Sequence, residues 1–366
     1  MEKKYNYLIV GAGFAGATFA RKAAEHGQKV LVIDRRDHIG GNAYDCYNNE
    51  DVLIHQYGPH IFHTNHQKVW NFLSEHTAWH YYQHRVVTSV DGQEVPMPIN
   101  VKTINMLYGT SYTAENIHEF YKERKKDIPE IKTSEDVIVS QIGEELYEKF
   151  FKNYTKKQWG VYPSELDKLV TSRVPIRYNF DDRYFTDKYQ AMPKNGYTAL
   201  FKNILDHDNI EVLLSTAYNK VKDTKAFEKL IYCGPMDEFF ECKYGKLPYR
   251  SLQFEFETIY AEKYQDAPVV NYPNDYDFTR ITEYKYLTGQ KSEVTTISRE
   301  YSKADGDPYY PVPNNDTATL VAKYQEEINK LQNVYFLGRL AEYKYYNMDN
   351  VILRALDLFE SLQNQS

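Results

Sequence analysis

Residues 5–34 read YNYLIVGAGFAGATFARKAAEHGQKVLVID, and this stretch decides the fold. YNYLIV (5–10) and KVLVID (29–34) are short apolar runs of buried-strand type. Between them an alanine-rich helix is expected from about Phe14 to Glu25, ended by Gly27. The glycine loop Gly11-Ala12-Gly13-Phe14-Ala15-Gly16 joins the first strand to that helix. In such a loop the first glycine permits a tight turn and the second lets backbone approach a pyrophosphate. The third lets helix and strand pack closely. The helix start, at Phe14 and Ala15, turns N–H donors and a positive dipole end toward the phosphates. Asp34 ends the second strand about 20 residues on, where a carboxylate meets a ribose hydroxyl. Together these features predict a βαβ unit that binds a dinucleotide.

The residues beyond Asp34 narrow the choice of dinucleotide. A carboxylate there repels a 2′-phosphate, which disfavours NADP. Arg35-Arg36-Asp37-His38-Ile39-Gly40-Gly41-Asn42 follows, and its glycine pair lets backbone contact an extended cofactor. Arg35, Gly41 and Asn42 are therefore candidate cofactor contacts. Near the other end, VYFLGRL (334–340) reads as a last buried strand and MDNVILRALDLFESL (348–362) as an amphipathic helix. Gly338 and Arg339 leave that strand, and Tyr346, Asn347, Met348 and Asp349 open that helix. Its N-terminus can face the flavin end of the ribityl chain. FAD is expected over NAD.

The rest of the chain is organised around this unit. Asp91-Gly92, between RVVTSV and QEVPMPI, is a hairpin signal. Residues 100–160 read as helical, with Thr133 and Asp136 as a capping box and Ile138, Ile142, Leu146 and Phe150 on one stripe. IEVLLS (210–215) and KLIYCG (229–234) read as strands returning to the first sheet. SLQFEFET (251–258) alternates as an antiparallel strand does, and TRITEYKYL and EVTTISREY are expected to continue its sheet. The fold class is α/β: a discontinuous Rossmann-like FAD domain (1–80, 195–243 and 317–366), a helical domain (100–194) and an antiparallel sheet domain (81–99 and 244–316).

Composition excludes several functions. The chain has 366 residues and a formal net charge of −7, with no basic tract to serve nucleic acid or an anionic membrane. No stretch has the length of a membrane-spanning helix, and the N-terminal apolar run is claimed by the fold and not by a signal peptide. Cys46, Cys233 and Cys242 form no metal-binding or disulfide spacing, which fits a reducing cytoplasm. The 35 tyrosines are the outlier, and a ring with a hydroxyl suits sugar and nucleotide contacts as well as half-buried packing.

Candidate chemistry lies in four places. In HQYGPHIFHT (55–64), Gly58-Pro59-His60 and Ile61 are expected against the flavin ring, and His63 is a catalytic candidate. A metal at His60, His63 and His66 lacks a further ligand, so none is expected. Trp159, in YTKKQWG, is either core or a stacking platform. Arg173 and Arg280 stand in polar, aromatic surroundings and can grip a diphosphate. Tyr184, Tyr310, Tyr345 and Tyr346 lie in similar stretches. No catalytic triad or carboxylate pair stands out, so the chemistry is expected from the flavin.

These segments, with RVPIRYNFDDRYFTDKYQAMPKNGYT, YRSLQFEFET, DPYYPV and GRLAEYKYYNMD, resemble the bacterial UDP-galactopyranose mutase family along essentially the whole chain. The resemblance implies an isomerase that interconverts UDP-galactopyranose and UDP-galactofuranose on reduced FAD. In it N5 attacks the anomeric carbon, UDP leaves, and the ring opens and recloses through O4. It implies that Arg173 rides on a mobile loop near 165–178 and stabilises the leaving diphosphate with Arg280. Phe151, Tyr154 and Thr155 would hold the uridine, and Trp159 would belong to the mobile-loop region. Tyr184 and Tyr310 would contact phosphate, Asn271 the sugar nucleotide, Tyr345 the diphosphate and Arg339 the flavin. A homodimer and a reductant such as NAD(P)H or a reductase are also implied. His84 departs from the family pattern and is a doubtful contact, as is Asn347, which leaves any acidic role to Asp349. The competing reading is an oxidoreductase of the amine-oxidase type.

Overall fold

The computed structural model describes residues 4–168, 175–223, 226–312 and 315–364, with backbone alone at 315 and 316. Its first sheet has five parallel strands in the order Ile210–Leu213, Val30–Ile33, Tyr5–Val10, Phe227–Tyr232, Val334–Phe336. Val30–Ile33 is buried throughout, as a strand covered on both faces must be. Helices Phe14–Glu25, Tyr197–Leu205 and Met348–Gln363 cover one face, where Ile9, Val32, Phe19, Phe201 and Phe359 pack together. Tyr324, Met236 and Phe336 close the other. The strands turn at Gly11, Asp34, Cys233 and Gly338 along a single edge, their carboxyl ends, where open α/β sheets bind ligands.

The second sheet has seven strands in the order Tyr310–Pro311, Tyr249–Ile259, Thr295–Lys303, Arg280–Glu283, Val269–Asn271, Val86–Val90, Gln93–Met97. All neighbours are antiparallel except Val269–Asn271 with Val86–Val90. Asp91 and Gly92 both take positive φ, as the two-residue hairpin turn requires. Helices Val101–Tyr108, Ile117–Arg124 and Ser134–Tyr147 pack Ile104, Phe120, Ile142 and Leu146 against Val86, Val95 and Val269 of this sheet. A π-helical turn, Glu148–Lys152, leads into a last short helix, Asn153–Trp159.

The expected strands, the first and last helices and the Thr133–Asp136 capping box are all present. Three differences have physical causes. Gly143 breaks the 134–147 helix at φ 83°, yet Ile138, Ile142, Leu146 and Phe150 still share one core. TRITEYKYL leaves the sheet after Glu283, because Tyr284 turns inward to bond Ser298 at 2.8 Å and a helix runs to Thr288. A small sheet of Phe62–Thr64, Tyr189–Pro193 and Trp79–Tyr81 joins segments far apart in sequence, and a further helix runs Asn315–Ile328; neither is anticipated from the sequence.

Candidate active site

The glycine loop forms a cradle. A Cβ at Gly16 would lie 1.9 Å from the Gly11 carbonyl oxygen, so only glycine lets the helix start this close to the strand. The helix begins at Gly13 with no side-chain cap, which leaves its first N–H groups for an anion. The second glycine pair closes on the loop: Gly40 N–H donates to Ala12 O at 2.9 Å, and Gly13 and Gly41 meet backbone to backbone. Asp34 ties the parts together, its two oxygens accepting from Ala12 N at 2.8 Å and Arg36 N at 2.9 Å. Each oxygen keeps a further lone pair for a ribose hydroxyl. Arg36 donates to Asn42 at 3.0 Å, while Arg35 is held by Asp307 at 3.1 Å. The Phe14 ring packs against Phe201, so only its backbone faces the cradle.

A second helix start points at the same edge. Met348–Gln363 begins at Asn347 without a side-chain cap, and Gly338 comes within contact of Ala15. Arg339 is a clamp: Nη2 donates to Tyr346 O at 2.6 Å and Nη1 to Tyr309 O at 3.3 Å. Its guanidinium lies over the stacked rings of Tyr310 and Tyr345, 5.6 Å apart. Asp349, buried in the first turn, bonds Asn350. This cradle fits the expected dinucleotide: glycine where a Cβ cannot go, and two uncapped helix starts.

Facing it is a wall built by strand register. Thr88, Asn271, Arg280, Glu300 and Phe254 form one cross-strand row. Gly58 rests on the Phe254 ring, which brings His60 and Ile61 to the junction of cradle and wall. Arg280 Nε lies 3.3 Å from Glu300 but makes no hydrogen bond among the described residues, and its side chain is 24% exposed. Burial works against its charge; the Glu300 carboxylate and the surrounding hydroxyls of Tyr154, Tyr184 and Tyr310 outweigh that and raise its pKa. Burial pushes the Tyr310 hydroxyl up to about 12. Tyr154 OH donates to Asn271 at 3.4 Å. Lys157 fixes that approach, its ammonium bonding the carbonyls of Tyr272 at 2.7 Å and Asp275 at 2.6 Å.

The histidines are individually committed. His60 Nδ1 bonds Gly58 O at 2.8 Å, and burial holds its imidazole neutral, with a pKa of about 3. His63 Nδ1 lies 3.0 Å from Asp187, its ring stacked 3.6 Å above Phe185. They do not converge on a metal. One possible ligand cluster is found among the described residues, Glu25, Glu75 and His76, and Arg21 and Lys22 already occupy Glu25. A cavity of about 210 Å³ lined by His55, Lys194, Tyr197 and Gln290 holds neither cradle nor wall residues.

The chain's similarities can be set beside this geometry. The family model described as UDP-galactopyranose mutase matches residues 149–345, and one described as an NAD(P)-binding Rossmann-like domain matches 9–76. A probable UDP-galactopyranose mutase of Klebsiella pneumoniae is 42% identical, over 98% of this chain and 96% of that one. The chain belongs to the UDP-galactopyranose mutase family. A dTDP-fucopyranose mutase of Escherichia coli is 37% identical over 96% of each chain. A solved reduced UDP-galactopyranose mutase has the same fold, with a TM-score of 0.81 at 16% identity, covering 99% of this chain and 96% of that one. The chain is thus an isomerase of the mutase type, built on a Rossmann-like domain.

Of the residues singled out in sequence, the fold gathers Tyr154, Asn271 and Tyr310 around Arg280, with Tyr184 beside His84. Phe151 and Thr155 are buried, Phe151 within the helical core. Trp159 is packed on Leu166 and Val161, the core alternative for that residue. Arg173 lies outside the described residues, as does part of the loop near 165–178. His84, doubtful from sequence, is buried, bonds Tyr82 at 2.9 Å and borders Tyr184 and Phe185. Arg250 and Glu300 were missed. Arg250 bonds Gln158 O at 2.9 Å and pairs in register with Tyr310. Only the register between distant strands reveals either.

Proposed function

We propose that the chain interconverts UDP-galactopyranose and UDP-galactofuranose by ring contraction on FAD in its reduced form. The observation that carries this is Arg280: a guanidinium ringed by Tyr154, Tyr184 and Tyr310, whose Nε lies 3.3 Å from Glu300 without a hydrogen bond among the described residues. A protein that only bound FAD would need no second grip on a diphosphate. A bound, reduced flavin would supply the nucleophile for displacement of UDP from the sugar. The helix starts at Gly13 and Asn347 would hold the cofactor's phosphates and ribityl end, and Asp34 its ribose. Arg280, with Arg173 on the substrate loop, stabilises the departing UDP. Tyr154, Thr155, Phe151 and Asn271 orient the uridine. Tyr310, Tyr345 and Tyr184 line the diphosphate, and His63 serves the sugar.

The three-part division into FAD, helical and sheet domains belongs to this reading, as do a cytoplasmic homodimer and reduction by NAD(P)H or a reductase. No helix among the described residues is long and apolar enough to cross a membrane. The test is incubation of the flavin-loaded protein with UDP-galactofuranose, with and without dithionite, followed by separation of the two sugar nucleotides. Conversion to UDP-galactopyranose is expected only after reduction, without net electron consumption. Absence of conversion under reducing conditions overturns the proposal, and peroxide formation would point to an oxidoreductase instead.

A further inference from the structure

His63 is held by a partner that nothing in the motifs identifies. It lies in the strand Phe62–Thr64, opposite Gln190 of Tyr189–Pro193. Phe62 and Thr64 are fully buried on one face, so by alternation His63 projects to the other. There its ring stacks on Phe185 at 3.6 Å and 15°, and its Nδ1 meets Asp187 Oδ2 at 3.0 Å. The other Asp187 oxygen accepts from Asn65 Nδ2 at 2.9 Å. Asn65 is fixed in turn, because its Oδ1 accepts from Lys188 N–H at 2.8 Å. Gln190 Nε2 donates to the Asp187 carbonyl at 2.8 Å and holds the backbone. Each polar atom in this chain of contacts can play only one role. A backbone N–H must meet the amide oxygen, so the amide nitrogen must meet the carboxylate. An ionised carboxylate only accepts, so His63 must carry its proton on Nδ1.

We infer that Asp187 is a positioning residue: it fixes His63 in the Nδ1–H form and leaves Nε2, at the opposite edge of the ring, as a hydrogen-bond acceptor for a hydroxyl of the sugar. Phe185 and Asp187 follow Tyr184 directly, so the same short segment places a candidate phosphate contact and sets the histidine. A carboxylate behind an imidazole settles which nitrogen is free, as in other sites where a histidine's second nitrogen is committed. The inference rests on the mutase reading for the identity of the hydroxyl, but not for the state of the ring.

The variant Asp187→Asn tests it with almost no change of shape. Asn65 still needs an acceptor, so the new amide must turn its oxygen to Asn65 and its NH₂ to His63. That NH₂ can only donate, which forces Nδ1 to accept and moves the proton to Nε2. Two readouts are needed: nitrogen NMR of histidine-labelled protein for the tautomer, and turnover of UDP-galactofuranose by the reduced holoenzyme. The expected result is a switch of the His63 signal from the Nδ1–H to the Nε2–H pattern. A kcat/KM lower by roughly 10–100-fold should accompany it, at unchanged flavin content and melting temperature. Asp187→Glu, which keeps an acceptor, is expected to retain the Nδ1–H pattern and part of the activity. An unchanged tautomer in Asp187→Asn overturns the inference and leaves the mutase proposal standing. A switched tautomer with unchanged kinetics overturns the positioning role. Wild-type protein that shows the Nδ1–H pattern but converts no substrate overturns the mutase proposal and upholds the assignment of the ring.

Discussion

The cradle, assigned to the cofactor, and the wall, assigned to the substrate diphosphate under the proposed function, are built in opposite ways. The cradle is built from two short stretches, residues 11–42 and 338–349, and its ligand groups are backbone N–H donors at uncapped helix starts. The wall is made of side chains, Tyr154, Asn271, Arg280, Glu300 and Tyr310, brought together by strand register and one helix end. A backbone cradle carries no net charge and suits a ligand held permanently. A guanidinium balanced by one carboxylate suits a diphosphate that must be held most tightly as it leaves. The contrast predicts that damage to the two regions separates into loss of cofactor and loss of turnover.

The largest expected effect comes from the cradle. In Gly16→Ala the new Cβ meets the Gly11 carbonyl at 1.9 Å, a backbone atom that cannot step aside. Helix and strand must part, with a loss of about 3 kcal/mol and no retained flavin. Gly13→Ala is the sharper test, because its Cβ meets nothing closer than Gly41 Cα at 3.6 Å, an ordinary contact. The protein without cofactor should keep its stability to within about 0.5 kcal/mol, yet bind little flavin, since the added methyl stands where the pyrophosphate approaches. Thermal melts and flavin absorbance per protein decide it. Full flavin content in Gly13→Ala would remove the cradle from its assigned role.

Arg280→Ala should do the reverse. Flavin content stays as in the wild type, while turnover of UDP-galactofuranose falls by roughly 10²–10³-fold. Glu300, 5% exposed, is left without its cation, so a moderate loss of melting temperature accompanies it. Arg280→Lys restores the charge without the planar fork and should recover only part of the rate. If Arg280→Ala lost flavin in proportion to activity, the cradle and the wall would be one unit.

The same contrast explains what could be read in the sequence. The cradle was legible because its parts are local: strand, glycine loop, helix and acid follow in fixed order, and each glycine has a steric reason. Of the wall, Arg280 and Tyr310 stood out by their polar, aromatic stretches, Tyr154 and Asn271 came only through resemblance, and Glu300 was not legible at all. No local pattern links Asn271, Arg280 and Glu300, which become neighbours when three strands settle into register. Asp187 was unreadable for the same reason: it meets His63 across a small sheet whose strands are far apart in the chain. Trp159, open to either reading, packs on Leu166 and Val161 where its helix ends, a contact between segments that no local pattern shows.

The smallest effect at neutral pH should come from the buried histidines at the junction of the two regions. Burial lowers His55, His60 and His84 from the usual 6.5 to about 3. An imidazole depressed on folding binds fewer protons folded than unfolded, so stability rises with pH between the two values. It is fully present above pH 6.5 and is lost as the pH falls toward 3. Burial also lowers His76 to about 4, so between pH 6.5 and 5, before carboxylates titrate, the denaturation midpoint should fall with a slope approaching four protons. His84 lies on the wall beside Tyr184, whereas His60 N–H bonds His55 Nδ1 at 3.0 Å on the cradle side. His84→Gln keeps a partner for Tyr82 and should remove one proton from the slope, with stability at pH 8 unchanged to within about 1 kcal/mol. Flavin release on acidification should keep its wild-type pH dependence in that variant, because His55 and His60 remain. A slope unaltered by His84→Gln would mean that His84 is protonated in the folded protein, and the wall would then carry a second cation beside Arg280.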